Sequence, residues 1–507
     1  MAFSDLIDGA IAPFAPGWAA RRMSSRAQLA AASAALDGIR QYDAGTRDRR
    51  TAGWRRDTTS ADGENARYRM TVAAAGHDLV QNNKYAAAGV RQLTATVWGD
   101  GIAPQLTHPV KRIQQRAQDE LDRWNESKVD GHGDWYGHGK VCVREMIVGG
   151  EGLTIWLPDA NGPDGQITGA EGPQLDSSKN YMLNGGSKIV QGVQFNGRAR
   201  AGYWLFDENP YDPVRGKASL QSSMVDAAHV DHLFERLRFG QTRGMSWLGA
   251  VAMTLRDIGD IEDAKRLQEK VQACLALVVL PGEQPQASPL GVQQAPQGDD
   301  GRKPLEETLR PGMIVRLKQG EQATVVNPTP SASTVDFIRQ QIAAVSASMV
   351  PYHLMTGDTS QANYSGLRAA MNGSYSMVDD WQQNVVIPLL CRPAVQRRMR
   401  RLFLETGDAR FLQVGATYAL PVRRLVDPVK DLMGEIMEIR SGLRLISQSL
   451  GERGLKTDQH MAAIKTMNDT IDQLGLALDT DPRRLTEAGV LQIASGYLAP
   501  KGDTAAN

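Results

Sequence analysis

The sequence predicts an α+β protein in which long helices accompany two separate β regions. Apolar residues recur at spacings of three and four over long segments, above all from residue 246 to 274, which is typical of amphipathic helices. Short β-branched and aromatic runs, divided by Gly, Asn, Asp and Pro, fill residues 151–231, and a second set lies within 275–327. We therefore expect a small, mostly antiparallel β region beside the first helices, and a smaller β module inserted between later helices.

Length and charge limit the classes of function. The chain has 507 residues, which is enough for two or more domains and a sizeable core. Lys plus Arg and Asp plus Glu both number 57, whereas a protein that grips phosphates along its surface is expected to be basic. Any contact with DNA should therefore be loose or local.

Cysteine usage and the N-terminus indicate the compartment. The three cysteines, Cys142, Cys274 and Cys391, are far apart and lack metal-ligand spacing, which fits a reducing environment. The segment Met1–Asp8 carries acids where a signal peptide needs bases, and no apolar run approaches the roughly 20 residues of a membrane span. We expect a protein that is soluble and cytoplasmic when made, without membrane association or cofactor.

The first 65 residues are expected to form a weakly ordered arm with one helix from about Arg26 to Gln41. Two basic clusters between residues 47 and 56 leave open whether the arm is simply solvated or binds a partner. A helical pattern then runs from Glu64 to Val97 and is interrupted at Asn82-Asn83.

The glycine-rich segment 131–139 allows two interpretations. Its His132, Asp134 and His138 are residue types that bind metals, but their spacing matches no established metal motif. We prefer a glycine-broken turn that joins a helix over 110–124 to one over 140–150.

Short β runs follow this turn. They cover residues 151–157, 189–195, 201–206 and 228–230. His229 and His232 fall on or beside the last run, where a structural role is favoured over a zinc site.

The segment from Ser246 to Cys274 is predicted to be one long helix, with Ser246 capping its first turn. Its apolar face carries Val251, Leu255, Ile258, Ile261, Ala264, Leu267, Val271 and Cys274. Its other face carries Arg256, Asp257, Asp260, Glu262, Asp263, Lys265, Arg266, Glu269 and Lys270, whose mixed signs allow pairing one turn apart. Such a helix needs a partner for one face and solvent for the other. A ring of identical copies around water supplies both, and a long surface helix of a large monomer is the simpler alternative.

A β module follows the long helix. Leu275–Leu280 is predicted to be a strand, and the Pro, Gln and Gly composition of residues 281–304 predicts a mobile loop. Residues 312–317 and 323–326 are expected to pair as a hairpin around 318–321.

The next helix is predicted to begin at Ser333 or Thr334 and to end before Pro351. A polar loop follows, after which Ser365 is expected to cap a helix that runs to about Leu404 and is kinked by Pro388. Past the kink lies a basic stripe: Arg392, Arg397, Arg398, Arg400 and Arg401. This stripe is either a solvated helix end favoured by the helix dipole or a contact for nucleic acid or an acidic partner. Two more helices are predicted, over 432–446 and 458–474.

Motifs of catalysis are missing from the sequence. Gly139-Lys140 and Gly216-Lys217 lack the earlier glycine and the hydroxyl of a phosphate-binding loop, and no G-x-S-x-G or H-E-x-x-H occurs. We therefore do not predict an enzyme. The alternative is a metal-dependent DNA-processing hydrolase that uses His132, Asp134 and His138.

Two long segments can be compared with known families. They are Phe239–Leu248, with the sequence FGQTRGMSWL, and Val350–Arg368, with the sequence VPYHLMTGDTSQANYSGLR. Together they closely resemble the portal proteins of tailed bacteriophages, specifically the lambda-like portal family. Supporting matches in the same order are Asn82–Ala86 with Gly99–Ile102, Gly192–Ala199 before Tyr203-Trp204, Arg310–Met313 and Lys318–Glu321. The resemblance spans about Asp62 to Gly442.

The resemblance implies a portal fold with a mixed α/β wing, long stem helices, a small β clip and a helical crown, in a ring of about twelve copies. It divides the chain into an arm (1–65), wing (66–245), first stem helix (246–274), clip (275–332), second stem helix (333–350), tunnel loop (351–364), long kinked wing helix (365–405), and crown with C-terminal tail (406–507). The Pro/Gln-rich loop stands where the family's clip has a short helix.

The resemblance also implies a function, namely the head–tail connector at one capsid vertex of a virion, assembled in the host cytoplasm. Double-stranded DNA would be packaged and ejected through it, and its partners would be the major capsid protein, the terminase large subunit, which would hydrolyse ATP, and a head–tail adaptor. The portal of a gene transfer agent or of a defective prophage is an alternative.

The resemblance assigns candidate residues to the DNA channel. The tunnel loop would contribute Thr356, Asp358, Thr359, Ser360, Gln361 and Asn363, and the stem would contribute Arg256, Asp260, Glu262, Asp263, Lys265, Arg266, Glu269 and Lys270. The basic helix end, Arg397, Arg398, Arg400 and Arg401, is a separate candidate site that is either solvated or contacts nucleic acid or an acidic partner. No metal site is expected. Net neutrality and mixed stem charges suit DNA that must slide.

Overall fold

A computed structural model describes most of the chain between residues 13 and 478. The described residues are 13–37, 49, 52–54, 58–157, 166–213, 221–273, 277–281, 321–325, 333–360, 363–421, 423, 428–453, 455, 457–476 and 478. The chain divides into two compact units, Met1–Thr59 and Ser60–Asn507.

The first unit contains helix α1, Pro16–Asp37. It begins ten residues before the predicted start at Arg26, because Pro16 fits a first helical turn, where its missing N–H is not needed. Apart from Arg49, the two basic clusters lie outside the described residues.

The second unit opens with two helices that meet at one residue. Helix α2 covers Ala61–Asn82 and helix α3 covers Lys84–Val97. Between them, the Asn83 Oδ1 atom accepts hydrogen bonds from the amides of Tyr85 at 3.0 Å and Ala86 at 3.1 Å. The predicted interruption is confirmed, because asparagine ends one helix and caps the next.

Helices α4, Lys111–Asn125, and α5, Trp135–Val148, follow. Helix α5 starts five residues before its predicted position, since Asp134 caps it by accepting from the Gly137 amide at 2.7 Å.

Two antiparallel sheets make up the β region of this unit. The strands up to this point of the chain are β1 Ala103–Thr107, β2 Gly152–Trp156, β3 Ile167–Glu171, β4 Tyr181–Met182, β5 Ser187–Val190, β6 Val193–Asn196, β7 Ala199–Leu205, β8 Ser223–Asp226 and β9 Val230–Leu233. One sheet has the order β3-β2-β9 and the other β4-β5-β6-β7-β8. The predicted mostly antiparallel region is confirmed.

The prediction of one strand over 189–195 is wrong. Strands β5 and β6 are joined by a two-residue turn at Gln191 and Gly192, whose φ angles are 49° and 84°. Left-handed backbone at both positions reverses the chain in the way that tight hairpins require.

The long predicted helix begins with a short 3₁₀ turn, Trp247–Ala250, and continues as helix α6, Ala252–Ala273. Ser246 caps it as predicted, because its hydroxyl accepts from the Leu248 amide at 3.2 Å. The predicted apolar positions Val251, Leu255 and Ile258 are buried. Leu267, further along the same face, is 62% exposed.

Two paired strands follow α6, and a second helix then packs against it. Strand β10, Leu277–Pro281, pairs antiparallel with β11, Glu321–Val325, and helix α7, Ser333–Ser346, packs on α6. The predicted loop over 282–304, the strand over 312–317 and Cys274 lie outside the described residues. We call α6 and α7 together the stem hairpin.

A short helix α8, Tyr352–Thr356, precedes helix α9, Tyr364–Trp381. The prediction that Ser365 caps α9 is wrong. Asn363 holds that position, because its Oδ1 atom accepts from the Gly366 amide at 2.6 Å, and the Ser365 hydroxyl bonds to the same atom at 3.2 Å.

Pro388 lies inside a π-helical segment, Gln382–Cys391, which continues directly into helix α10, Arg392–Thr406. The predicted kink at this proline therefore takes the form of a widened stretch of helix. Proline has no amide hydrogen and crowds the preceding turn, and wider turns remove that conflict.

The C-terminal part of the second unit pairs with strand β1. Strand β12, Gly415–Ala419, pairs antiparallel with β1, and helices α11 Pro428–Arg440, α12 Ile446–Glu452 and α13 Thr457–Gln473 follow. The predicted single helix over 432–446 is wrong, because the chain turns at Gly442, whose φ is 76°. The predicted helix over 458–474 is confirmed.

Two apolar cores stabilise the second unit. The larger one joins helices α2–α5 to the base of α6, to α7 and to the helix around Pro388. The smaller one lies between the two sheets, around Leu153, Val193, Tyr203 and Leu205. Within the described part of the chain, no helix is long and apolar enough to cross a membrane.

Candidate functional site

The charged face of α6 pairs along its own helix, as its sequence predicts. The Lys265 Nζ atom lies 3.1 Å from Glu269, and an Arg266 Nη2 atom lies 2.6 Å from Asp263. Arg256, Asp260 and Lys270 are exposed on the same helix. Opposite signs alternate along this face, so its field on any nearby polyanion is weak.

Glu262 differs from the other charges of α6 because it ties the stem to helix α3. Its carboxylate accepts from the Tyr85 hydroxyl at 2.6 Å and lies 2.7 Å from the Lys84 ammonium. Burial alone raises the pKa of Glu262, but these two hydrogen bonds outweigh burial and leave the pKa below its usual value. Glu262 therefore fixes helix α6 of the stem hairpin to helix α3.

The outer part of the stem hairpin leaves large apolar side chains uncovered. On α6, Leu267 is 62% exposed, and on α7, Val335 is 67% and Phe337 is 46% exposed. Nearer the root, Ile342 and Val345 of α7 are buried. We call Leu267, Val335 and Phe337 the stem apolar surface.

The loop after α8 is tied to the stem hairpin through Asp358. An Arg339 Nη2 atom of α7 lies 2.9 Å from the Asp358 carboxylate, which also accepts from the Tyr352 hydroxyl at 3.3 Å and the Ser360 amide at 2.9 Å. Hydrogen bonds from Ser360, together with the Arg339 charge, lower the pKa of Asp358, so this residue is ionised at neutral pH.

The other predicted loop residues fall into two groups. Thr356 and Asn363 hold the backbone, since the Thr356 Oγ1 atom donates to the Tyr352 carbonyl at 2.8 Å and Asn363 caps α9. Thr359 and Ser360 are exposed, and Gln361 lies outside the described residues. Thr359 and Ser360 are therefore the neutral groups that this loop presents to a ligand.

The predicted basic helix end is divided between the interior and the surface. Arg397 pairs with the buried carboxylate of Asp231 and donates to the Ala228 carbonyl at 2.9 Å. Arg398 is buried, with its guanidinium 5.3 Å from the centre of a Trp124 ring, and burial lowers its pKa to about 10. Arg400 is exposed, and Arg401 lies 2.9 Å from Glu405. Of these four arginines, Arg400 is the one that is exposed and forms no ion pair in the described part of the chain.

The structure does not bring His132, Asp134 and His138 together as metal ligands. Asp134 caps α5, and His132 is exposed. His138 is buried with its Nε2 atom 2.9 Å from the Thr154 hydroxyl and 3.4 Å from the Cys142 thiol. Among the described residues, no group of three His, Cys, Asp or Glu side chains could hold a metal ion.

Sequence reasoning missed a buried charge cluster between helix α2 and the start of strand β2. Glu151, fully buried at the start of β2, lies 2.9 Å from each of the Arg69 Nη1, Arg243 Nε and His232 Nε2 atoms. Burial raises the pKa of Glu151, but Arg243 and Arg69 outweigh it and hold the pKa well below its usual value. The sequence signal was Arg243 in the middle of FGQTRGMSWL, and its acidic partner 92 residues away carried none.

Comparisons with known proteins give one family and several distant structures. The family model described as "Phage portal protein, lambda family" matches residues 47–382. Among curated proteins, none matches the chain.

Three solved structures illustrate the distant likeness. In the virion of a native gene transfer agent particle, the similar chain has 14% identity and a TM-score of 0.40, with 77% of this chain and 93% of that chain covered. In the neck of an empty particle of this kind, computed with C6 symmetry, the similar chain has 15% identity and a TM-score of 0.41, with 75% of this chain and 93% of that chain covered. An HK97-family phage portal protein from Corynebacterium diphtheriae has 10% identity and a TM-score of 0.32, with 70% of this chain and 96% of that chain covered.

Proposed function

The chain belongs to the lambda family of phage portal proteins, and from this membership we propose that about twelve copies close into a ring at one capsid vertex, with their stem hairpins side by side around an axial channel for double-stranded DNA. The stem apolar surface is the observation that carries this proposal. The same function holds for a phage, a gene transfer agent or a defective prophage.

Among its described residues, the stem hairpin buries most of its large apolar side chains near its root and exposes those further out. Leu255 and Ile258 are covered by their own chain, whereas Leu267, Val335 and Phe337 are not. Burying each such side chain is worth about 1.5–3 kcal/mol, so three of them make a substantial contact for each copy. A neighbouring stem hairpin supplies that cover and leaves the paired charges of α6 in water.

The proposed channel acts by mechanics and weak electrostatics. Charges of α6 that pair with one another attract the DNA backbone only weakly, so a duplex can slide past them. Thr359 and Ser360 offer neutral hydroxyl groups, and Asp358 is held by Arg339 and adds a local negative charge. This loop would contact DNA without gripping it.

The remaining partners follow from the same proposal. The region 275–332 would dock the terminase large subunit during packaging in the host cytoplasm, and then the head–tail adaptor in the virion. The wing would contact the major capsid protein, and ejection would reverse the path of the DNA. Strands β10 and β11 support a small β module at this position.

Negative-stain microscopy of the purified full chain tests the ring directly. We expect rings with an axial hole, and monodisperse monomers at every concentration and salt would overturn the proposal. Deleting residues 356–361 should leave the rings intact but impair DNA packaging or retention. Unaltered packaging by that variant would remove the role of the loop while leaving the ring.

A further inference from the structure

A cleft of about 1260 Å³ lies between the β region and the long helix of the wing. It is bounded by the hairpin of β6 and β7, by the segment after β9, and by the π-helical segment around Pro388. Nothing in the proposed channel function uses this cleft. Its lining contains basic and acidic side chains that differ in how they are paired.

Arg200, at the start of β7, is a half-buried cation in this cleft that has no acidic partner among the described residues. Its Nη atoms donate to the Tyr203 hydroxyl at 3.1 Å, the His232 Nδ1 atom at 2.8 Å and the Thr242 carbonyl at 3.0 Å, all of which are neutral acceptors. Its guanidinium also lies 5.2 Å from the centre of the Phe234 ring. A partly desolvated cation in such surroundings favours the arrival of an anion.

Three further cations line the same cleft. Lys188, Arg198 and Arg236 are exposed, and in the described part of the chain none of them forms an ion pair. Lys188 lies 5.8 Å from the centre of the Phe195 ring, and Arg236 lies 5.9 Å from that of Phe239.

The carboxylates of the cleft, by contrast, already have donors. Asp62 accepts from both the amide and the hydroxyl of Thr242, and Asp231 pairs with Arg397. The other two are Glu235, bonded to Trp381 at 3.0 Å, and Asp380, bonded to Asn384 at 2.5 Å. Each carboxylate of the cleft therefore has a hydrogen-bond donor within the chain, whereas the four cations have no acidic partner among the described residues.

The rim of the cleft is apolar as well as basic. Phe239 is 95% exposed and its neighbour Leu237 is 69% exposed. Exposed phenylalanine and leucine beside arginine favour a protein segment over a nucleic acid. The fitting ligand is an acidic segment with an aromatic side chain.

We propose that this cleft receives the loop that follows β7, residues 206–213, from a second copy of the chain. That loop carries Asp207 and Glu208, and its Tyr211 is 72% exposed. Asn209 stabilises the turn, because its Oδ1 atom accepts from the Tyr211 amide at 3.0 Å. Charge and aromatic character thus match the cleft.

The positions of loop and cleft also fit a head-to-tail contact. The loop leaves β7 five residues after Arg200, about 17 Å along the strand, and it does not line the cleft of its own chain. Two different surfaces at opposite ends of one strand can join copy to copy around a ring, because such a contact is heterologous. This inference rests on the proposed ring and assigns it a specific contact outside the stem.

Charge reversal in the full-length chain tests the contact, with ring formation followed by native mass spectrometry over a range of concentrations. Arg198→Glu with Arg236→Glu, and separately Asp207→Lys with Glu208→Lys, should each raise the concentration for half-assembly about tenfold or more. Combining all four substitutions should restore assembly. The matched control is Arg91→Glu with Arg112→Glu, which reverses two exposed arginines away from the cleft. It should change the concentration for half-assembly little.

Each outcome distinguishes the proposed contact between copies from the proposed ring itself. Wild-type rings together with unchanged assembly of both reversed variants would overturn the contact and leave the proposed function standing. A weakened cleft variant that the reversed loop does not rescue would overturn residues 206–213 as the occupant. A wild-type chain without rings would overturn the proposed function itself. Unchanged thermal unfolding of the variants shows that they remain folded.

Discussion

The interior around Glu151 and the outer stem hairpin differ in which groups they bury. Around Glu151, charged groups are buried and bond within the same chain, since Glu151 contacts Arg69, Arg243 and His232. In the stem, apolar groups are exposed, while the charges pair along the surface of one helix.

The difference shows where the single chain is complete. A buried carboxylate without its arginines would be very unfavourable, and the single chain supplies both arginines to Glu151. Exposed Leu267 and Phe337 cost a single chain little, but their burial by a second surface would stabilise an assembly. We therefore expect substitutions around Glu151 to change folding and substitutions in the outer stem hairpin to change assembly.

The largest effect should come from Glu151→Gln. Loss of this charge leaves two buried arginines without a counterion, so the free energy of unfolding should fall by about 3–5 kcal/mol in urea titrations. The matched control is Glu120→Gln on the exposed pair with Arg123, which should cost less than about 1 kcal/mol. Equal effects at the two sites would contradict the distinction between the regions.

Two leucines on the same face of α6 provide the next test. Leu255→Ala removes a fully buried side chain and should lower the free energy of unfolding by about 2–5 kcal/mol. Leu267→Ala should change it by only about 0.5 kcal/mol, because this side chain is already in water in the single chain. Leu267→Asp should abolish rings in negative-stain images. Intact rings with Leu267→Asp would exclude the stem apolar surface as a contact between copies.

The smallest expected effect is a loss of folding stability at acidic pH. Burial lowers the pKa of His232 to about 4, although Glu151 opposes the shift, so the folded chain keeps this residue neutral while the unfolded chain protonates it near its ordinary value of 6.5. The unfolded state therefore binds more protons between these values. Stability should fall by up to about 3 kcal/mol as the pH drops from 6.5 to 4.

His232→Gln sharpens this test, since glutamine can donate to Glu151 and accept from Arg200 but does not titrate. The variant should lose most of the slope between pH 6.5 and 4 and keep the decline below pH 4.5 that protonation of unfolded carboxylates causes. An unchanged slope would show that other groups dominate in this window.

Local features of the fold were predictable from the sequence, because their causes lie within a few residues. Asn83 and Ser246 cap helices as their side chains suggest, and the mixed charges of α6 pair one turn apart. The same local reasoning chose Ser365 over Asn363, since both residues can cap and only the path of the backbone decides between them.

Features that depend on distant partners were not predictable. Strand β1 pairs with β12 more than 300 residues later, and neither segment has a long apolar run. Arg398 looked like part of a solvated stripe, yet it is buried beside Trp124. The cleft at Arg200 is formed by segments from four parts of the chain, so no single motif revealed it.

The π-helical segment Gln382–Cys391 has a mechanical consequence. After it, α10 is locked to the wing by Arg397 and Arg398. Before it, α9 leads back to the loop at Asp358. Because regular α-helical bonding is interrupted around Pro388, we expect bending of the long helix to concentrate in this stretch. A displacement of the loop at Asp358 should therefore bend the helix at its middle and leave the interior around Glu151 unchanged.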